Sequence, residues 1–215
     1  MRKLLFAAIV MAVVSLLQMS YAQPKAVDLG LSVKWADRNL GASTPVENGE
    51  YYAWGETSPK SDYLWKTLKY CTDTSGDCFN KYVPSNKSEY WSGNGSPDNK
   101  TCLDLSDDAA RANLGGKWRI PTKDEWEELK DKCTWSWMES GYNVTGPNGR
   151  SIFLPAAGYR LGSSSIDVGS DGGYWSSSLH TDNPNDAWEM RFYSGVYDMC
   201  NYYRYYGFSV RPVTE

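Results

Sequence analysis

The sequence predicts an α+β domain in which a short helical section is followed by antiparallel strands. Three observations carry that expectation. Apolar residues alternate with polar ones at the N-terminus and again in the segments after Ser151. Two helix-start signals stand between those regions. Gly, Ser, Asp and Asn turns separate the late strands, with no room for long crossovers.

The chain opens with Arg2 and Lys3, an apolar run from Leu4 to Leu17, and the small residues of Ser20-Tyr21-Ala22. This is the pattern of a signal peptide, residues 1–22, with cleavage expected after Ala22. The run is too short for a permanent membrane span, and no later stretch approaches one. An exported protein is expected, periplasmic, cell-surface or extracellular, with residues 23–215 as a single domain.

In AVDLGLSVKW, residues Val27, Leu29, Leu31, Val33 and Trp35 fall on every second position, the mark of a half-buried strand. EYYAWGE, after the turn region of residues 41–49, reads as a second, aromatic strand. From residue 57 to 105 Ser, Asn, Asp, Lys and Gly dominate, and a loop insertion is expected, functional or simply tolerated. SDDAARANLGG then offers Ser106 as a helix N-cap and Gly115 as a stop. PTKDEWEELKDKC carries the capping box Thr122-x-x-Glu125, with Trp126, Leu129 and Cys133 on one face. KWRIP between the helices reads as a short strand. IFLPAAGYR, GGYWSSS, DAWEMRFYS and GFSVRPV complete the β section.

Composition narrows the chemistry. A net charge of −4 gives no basic surface to neutralise phosphates, so nucleic acid is not an expected partner. The chain is 14% aromatic, with 10 Trp and 16 Tyr, so rings must build much of the core, each burying about 150–250 Å². A single histidine, His180, excludes most histidine-built metal sites and sits in a loop context. Five cysteines lie in the exported part, where disulfides persist. Cys71 and Cys78 bracket the turn-rich TDTSGD and are expected to pair. Cys102, Cys133 and Cys200 compete for at most one further bridge, leaving one thiol free or linked to another chain.

Two constellations stand out. Asp182, Asn183, Asn185 and Asp186 bring four oxygen-bearing side chains close to a strand start, the ligand type calcium takes, although Asn-Pro is also a turn signal. No other cofactor is indicated. The second is the C-terminal cluster of Tyr193, Tyr197, Asn201, Tyr202, Tyr203, Arg204 and Tyr205. Tyrosine gives large, rigid, amphipathic contact area at low entropic cost, and Arg204 and Asn201 add hydrogen-bonding groups. Tyr206 and Phe208 are expected to point inward and several of the others outward.

Seven segments in order, VDLGLSVKWADRNLGA, EYYAWGE, WRIPTKDEWEEL, KCTWSW, VTGPNGRSIFLPAAGYR, GGYWSSS and YYGFSVRPV, resemble the FISUMP-type domains (Fibrobacter succinogenes major paralogous domain) of exported Bacteroidetes proteins. The resemblance implies the formylglycine-generating-enzyme branch of the C-type lectin-like fold: two short helices flanking a small twisted antiparallel sheet, with long irregular loops. It also implies that residues 193–205 form the display face of a binding domain. The paired copper-binding cysteines of the enzyme branch are not matched, since Cys200 stands alone. The expected function is therefore non-enzymatic recognition of a glycan or protein. The rivals are a carboxylate-based hydrolase, an oxidase using Cys200, and a structural subunit of a surface assembly.

Overall fold

A computed structural model describes residues 23–215, so the expected signal peptide lies outside the described residues. The strands in chain order are β1 (Ala26–Val27), β2 (Lys34–Ala36), β3 (Tyr51–Tyr52), β4 (Thr134–Met138), β5 (Gly141–Thr145), β6 (Ser151–Pro155) and β7 (Tyr159–Leu161). They continue with β8 (Ser164–Ile166), β9 (Asp171–Leu179), β10 (Asp186–Tyr193), β11 (Val196–Tyr203), β12 (Phe208–Ser209) and β13 (Val213–Thr214). Two α-helices, α1 (Ala109–Leu114) and α2 (Lys123–Lys132), and three 3₁₀ turns complete the described residues.

This arrangement corrects the expected α+β, C-type lectin-like architecture. The described chain is mostly β, and its thirteen strands divide among four separate sheets rather than one helix-flanked sheet. The sheets run β1-β2-β13, β11-β10-β9-β12-β3, β4-β5-β6 and β7-β8. The sequence reading missed the hairpin of β4 and β5, where Trp135 and Trp137 alternate with exposed Thr134, Ser136 and Met138. That hairpin pairs onward with β6 and makes a sheet of its own.

Local corrections have local causes. The expected N-terminal strand breaks after Val27, because Gly30 takes a positive φ of 79° and the chain bends. Leu29, Val33 and Trp35 are nevertheless buried. Helix α1 starts later than expected: Asp108, not Ser106, is its N-cap, accepting from the Arg111 amide at 2.9 Å and the Ile120 amide at 2.7 Å. Helix α2 follows its capping box, with Thr122 Oγ1 accepting from the Glu125 amide and Glu125 accepting from the Thr122 amide. Its buried Trp126 and Leu129 pack with Trp35, Tyr142, Tyr174, Met190 and Phe192.

A second cluster joins Trp54, Tyr82, Trp175, Phe208 and Val210. Residues 57–105 form a third, built on Tyr63, Leu68, Phe79 and Val83. This segment is tied to the rest through Asp107, which accepts from the Tyr70 hydroxyl at 2.6 Å, the Lys69 amine at 3.1 Å, and Tyr82 and Lys81. Arg211 is fully buried and donates to Asn39 Oδ1 and to the carbonyls of Ala36 and Phe153, joining the first sheet to β6. Among the described residues no helix is long and apolar enough to cross a membrane.

Candidate ligand-binding site

Strands β10 and β11 form a regular antiparallel hairpin from Asp186↔Tyr203 to Tyr193↔Val196. The open end of this hairpin meets the turn that leaves β9. In that turn the His180 amide donates to the Asp186 carbonyl, and the Asn183 amide donates to His180 Nδ1 at 3.1 Å. His180 thus organises the turn, with its ring 4.9 Å from that of Trp188.

A pocket of about 190 Å³ opens where turn and hairpin meet, lined by Asn183, Asp186, Asn201, Tyr202, Tyr203 and Tyr206. Asp186 is its buried polar centre. Its Oδ2 accepts from the side-chain amides of Asn201 at 2.7 Å and Asn183 at 3.1 Å, while Oδ1 has no protein partner. Burial pushes the carboxyl above its ordinary value, opposed by the two amides and by the charge of Arg204. The rings stand around it at angles: Tyr202 and Tyr206 lie 4.6 Å apart at 71°, and Tyr203 and Tyr206 lie 6.4 Å apart at 36°. Tyr202 is backed by Tyr159 and Phe208, whereas Tyr203 is 45% exposed.

The two sequence-level constellations therefore meet in one place. Asn201, Tyr202 and Tyr203 from the tyrosine cluster share the pocket with Asn183 and Asp186 from the candidate calcium set. Asp182 is exposed, Asn185 does not line the pocket, and Asn183 turns its nitrogen toward Asp186. Tyr206, expected to face inward, is half-buried and lines the pocket.

Other members of the cluster lie elsewhere. Arg204 is not a display residue: it is 1% exposed, with its guanidinium 3.7 Å above the Phe79 ring and 5.5 Å from Trp54. Burial pulls its pKa down to about 9. Tyr205 packs on Trp65 at 4.5 Å. Tyr197 stacks on Trp135 at 4.7 Å with planes 6° apart. Tyr193 is exposed at the opposite end of the hairpin.

The residues of the rival readings are also placed. Cys200 is a half-buried thiol directly across from Glu189, and Glu189 is fully buried with both carboxylate oxygens unpartnered. Cys71 and Cys78 are unbridged in this structure. Both turn toward the Asp73 carboxylate, and burial pushes the Cys71 thiol up to about 11. Among the described residues no group of three or more His, Cys, Asp or Glu converges in a way that would hold a metal ion.

Residues 128–213, from within α2 to β13, match the family model described as a domain of unknown function (DUF8237). No curated protein and no solved structure matches the chain.

Proposed function

We propose that this chain is an exported, non-catalytic binding domain that recognises a glycan or protein ligand through the pocket around Asp186. One observation carries the reading: a buried carboxylate, half satisfied by two asparagine amides, sits among three angled tyrosines at an opening. Binding sites combine flat aromatic area with a few oriented polar groups in this way. The rings contribute contact area at little entropic cost. The carboxylate and amides select hydroxyl or amide groups on the ligand.

The basic and apolar start of the chain supports export, and the resemblance to FISUMP-type domains supports a binding role. Amide chemical-shift mapping with a hit from a glycan or protein array tests the reading. Perturbations centred on Asn183, Asp186, Asn201, Tyr203 and Tyr206 are expected. Perturbations centred on another face would contradict it.

A further inference from the structure

Three tyrosines, two asparagines and one acid line the pocket around Asp186, and no lysine, arginine or histidine does. Asp186 is 6% exposed, and its Oδ2 is taken by the amides of Asn183 and Asn201. Its Oδ1 has no protein partner. A buried carboxylate with one oxygen unmet is costly, and a positive charge beside it relieves that cost. Burial also leaves the charge little screened by solvent.

The cations of the chain are engaged elsewhere. Arg204 follows Tyr203 in sequence, but its guanidinium is buried 3.7 Å above the Phe79 ring. Arg191 comes within 5.6 Å of the Tyr202 ring and is ion-paired with Asp171 at 2.9 Å. Among the described residues no lysine or arginine stands over Tyr203 or Tyr206. Tyr206 lies 4.6 Å from Tyr202 and 6.4 Å from Tyr203, so the three rings make a corner beside the acid. A cation within about 6 Å of an aromatic face is attracted by the ring quadrupole.

Resting on the reading of this pocket as the ligand site, we propose that it selects a glycan bearing a free amino sugar, whose ammonium group sits in the tyrosine corner beside Asp186. The asparagines decide between a sugar amine and a lysine side chain. Each has given its amide to Asp186 and keeps a carbonyl oxygen as an acceptor at the pocket. The hydroxyls that flank the amine on a sugar ring donate to such oxygens. A lysine side chain is apolar up to its ammonium and covers them without a donor, at the cost of an unmade bond. N-acetylation of the sugar removes the charge and with it the main attraction. An acidic sugar meets a like charge.

Amide chemical-shift titrations of the purified protein with glucosamine hydrochloride, N-acetylglucosamine and glucose test this. Glucosamine is expected to bind about tenfold or more tightly than either neutral sugar, the scale of a desolvated cation on aromatic faces. Asp186→Asn keeps an acceptor for both asparagine amides and should bring the three sugars to about equal affinity. Tyr203→Phe keeps the ring and should retain the preference. The comparison of sugars on the parent protein decides the matter even where Asp186→Asn fails to fold. Equal affinity for glucosamine and N-acetylglucosamine, binding of neither, or tighter binding of an Nα-acetylated lysine amide would overturn the proposal. Neutral array hits that still perturb Asn183, Asp186 and Tyr203 would overturn the amine and leave the pocket as the ligand site. Hits that map to another face would overturn the site itself.

Discussion

Asn201 donates its side-chain amide to Asp186 at 2.7 Å, and this bond ties the outer strand of the main sheet to the first residue of β10 at the pocket. Asn201→Ala leaves a buried carboxylate with one amide instead of two. A loss of about 1–3 kcal/mol in unfolding free energy is expected, because a buried acceptor loses its donor. Denaturant melts measure this. Asn201→Asp should cost more, since it places a second carboxylate against the first.

Glu189 is fully buried, and its carboxyl is raised well above its ordinary value of 4.5, chiefly by burial. The Arg191 charge opposes that shift and Asp171 adds to it, with Cys200 across the ladder. A raised carboxyl binds its proton more tightly in the folded chain. Its stabilising contribution is complete below about pH 4.5 and is lost as pH climbs through the folded value. Glu189→Gln should therefore stabilise the protein at pH 8, by on the order of 2 kcal/mol, and change little at pH 4. Equal unfolding midpoints for the two proteins at pH 8 would contradict this.

Asp107 has the opposite sign. Lys81, Tyr70, Tyr82 and Lys69 hold its carboxyl far below the ordinary 3.8 despite its burial. The stability it contributes is present above pH 3.8 and is lost as pH falls through the folded value. Asp107→Asn should cost about 3 kcal/mol at neutral pH, the scale of a broken buried ion pair. Limited proteolysis should then cut first within residues 57–105, which Asp107 ties down.

The fold class was not legible in the sequence, but individual elements were, where side chains obey a short period. Trp188, Met190 and Phe192 against Glu189, Arg191 and Tyr193 read directly as two faces of β10, and Thr122 with Glu125 marked the start of α2. The division into four sheets was not legible, because pairing partners lie far apart in sequence: β13 joins β2, and β12 joins β3 and β9. TWSWM carried a readable alternation that the turn residues around it obscured.

The site divided in the same way. Tyrosine richness pointed to the hairpin of β10 and β11, but not to which of its rings are free. Tyr197 is claimed by Trp135 and Tyr205 by Trp65, neighbours that only tertiary packing supplies. Arg204 is polar by type and buried by context, held between Phe79 of the long insertion and Trp54, which precedes it.

The central claim is that the Asp186 pocket binds the ligand, and matched tyrosine substitutions test it most directly. Tyr203 and Tyr193 are similarly exposed, at 45% and 47%, but only Tyr203 lines the pocket. Array hits should be titrated against the parent protein, Tyr203→Ala and Tyr193→Ala. Tyr203→Ala is expected to weaken binding about tenfold or more, and Tyr193→Ala to leave it unchanged. Binding that survives Tyr203→Ala intact, or falls with Tyr193→Ala instead, would contradict the claim.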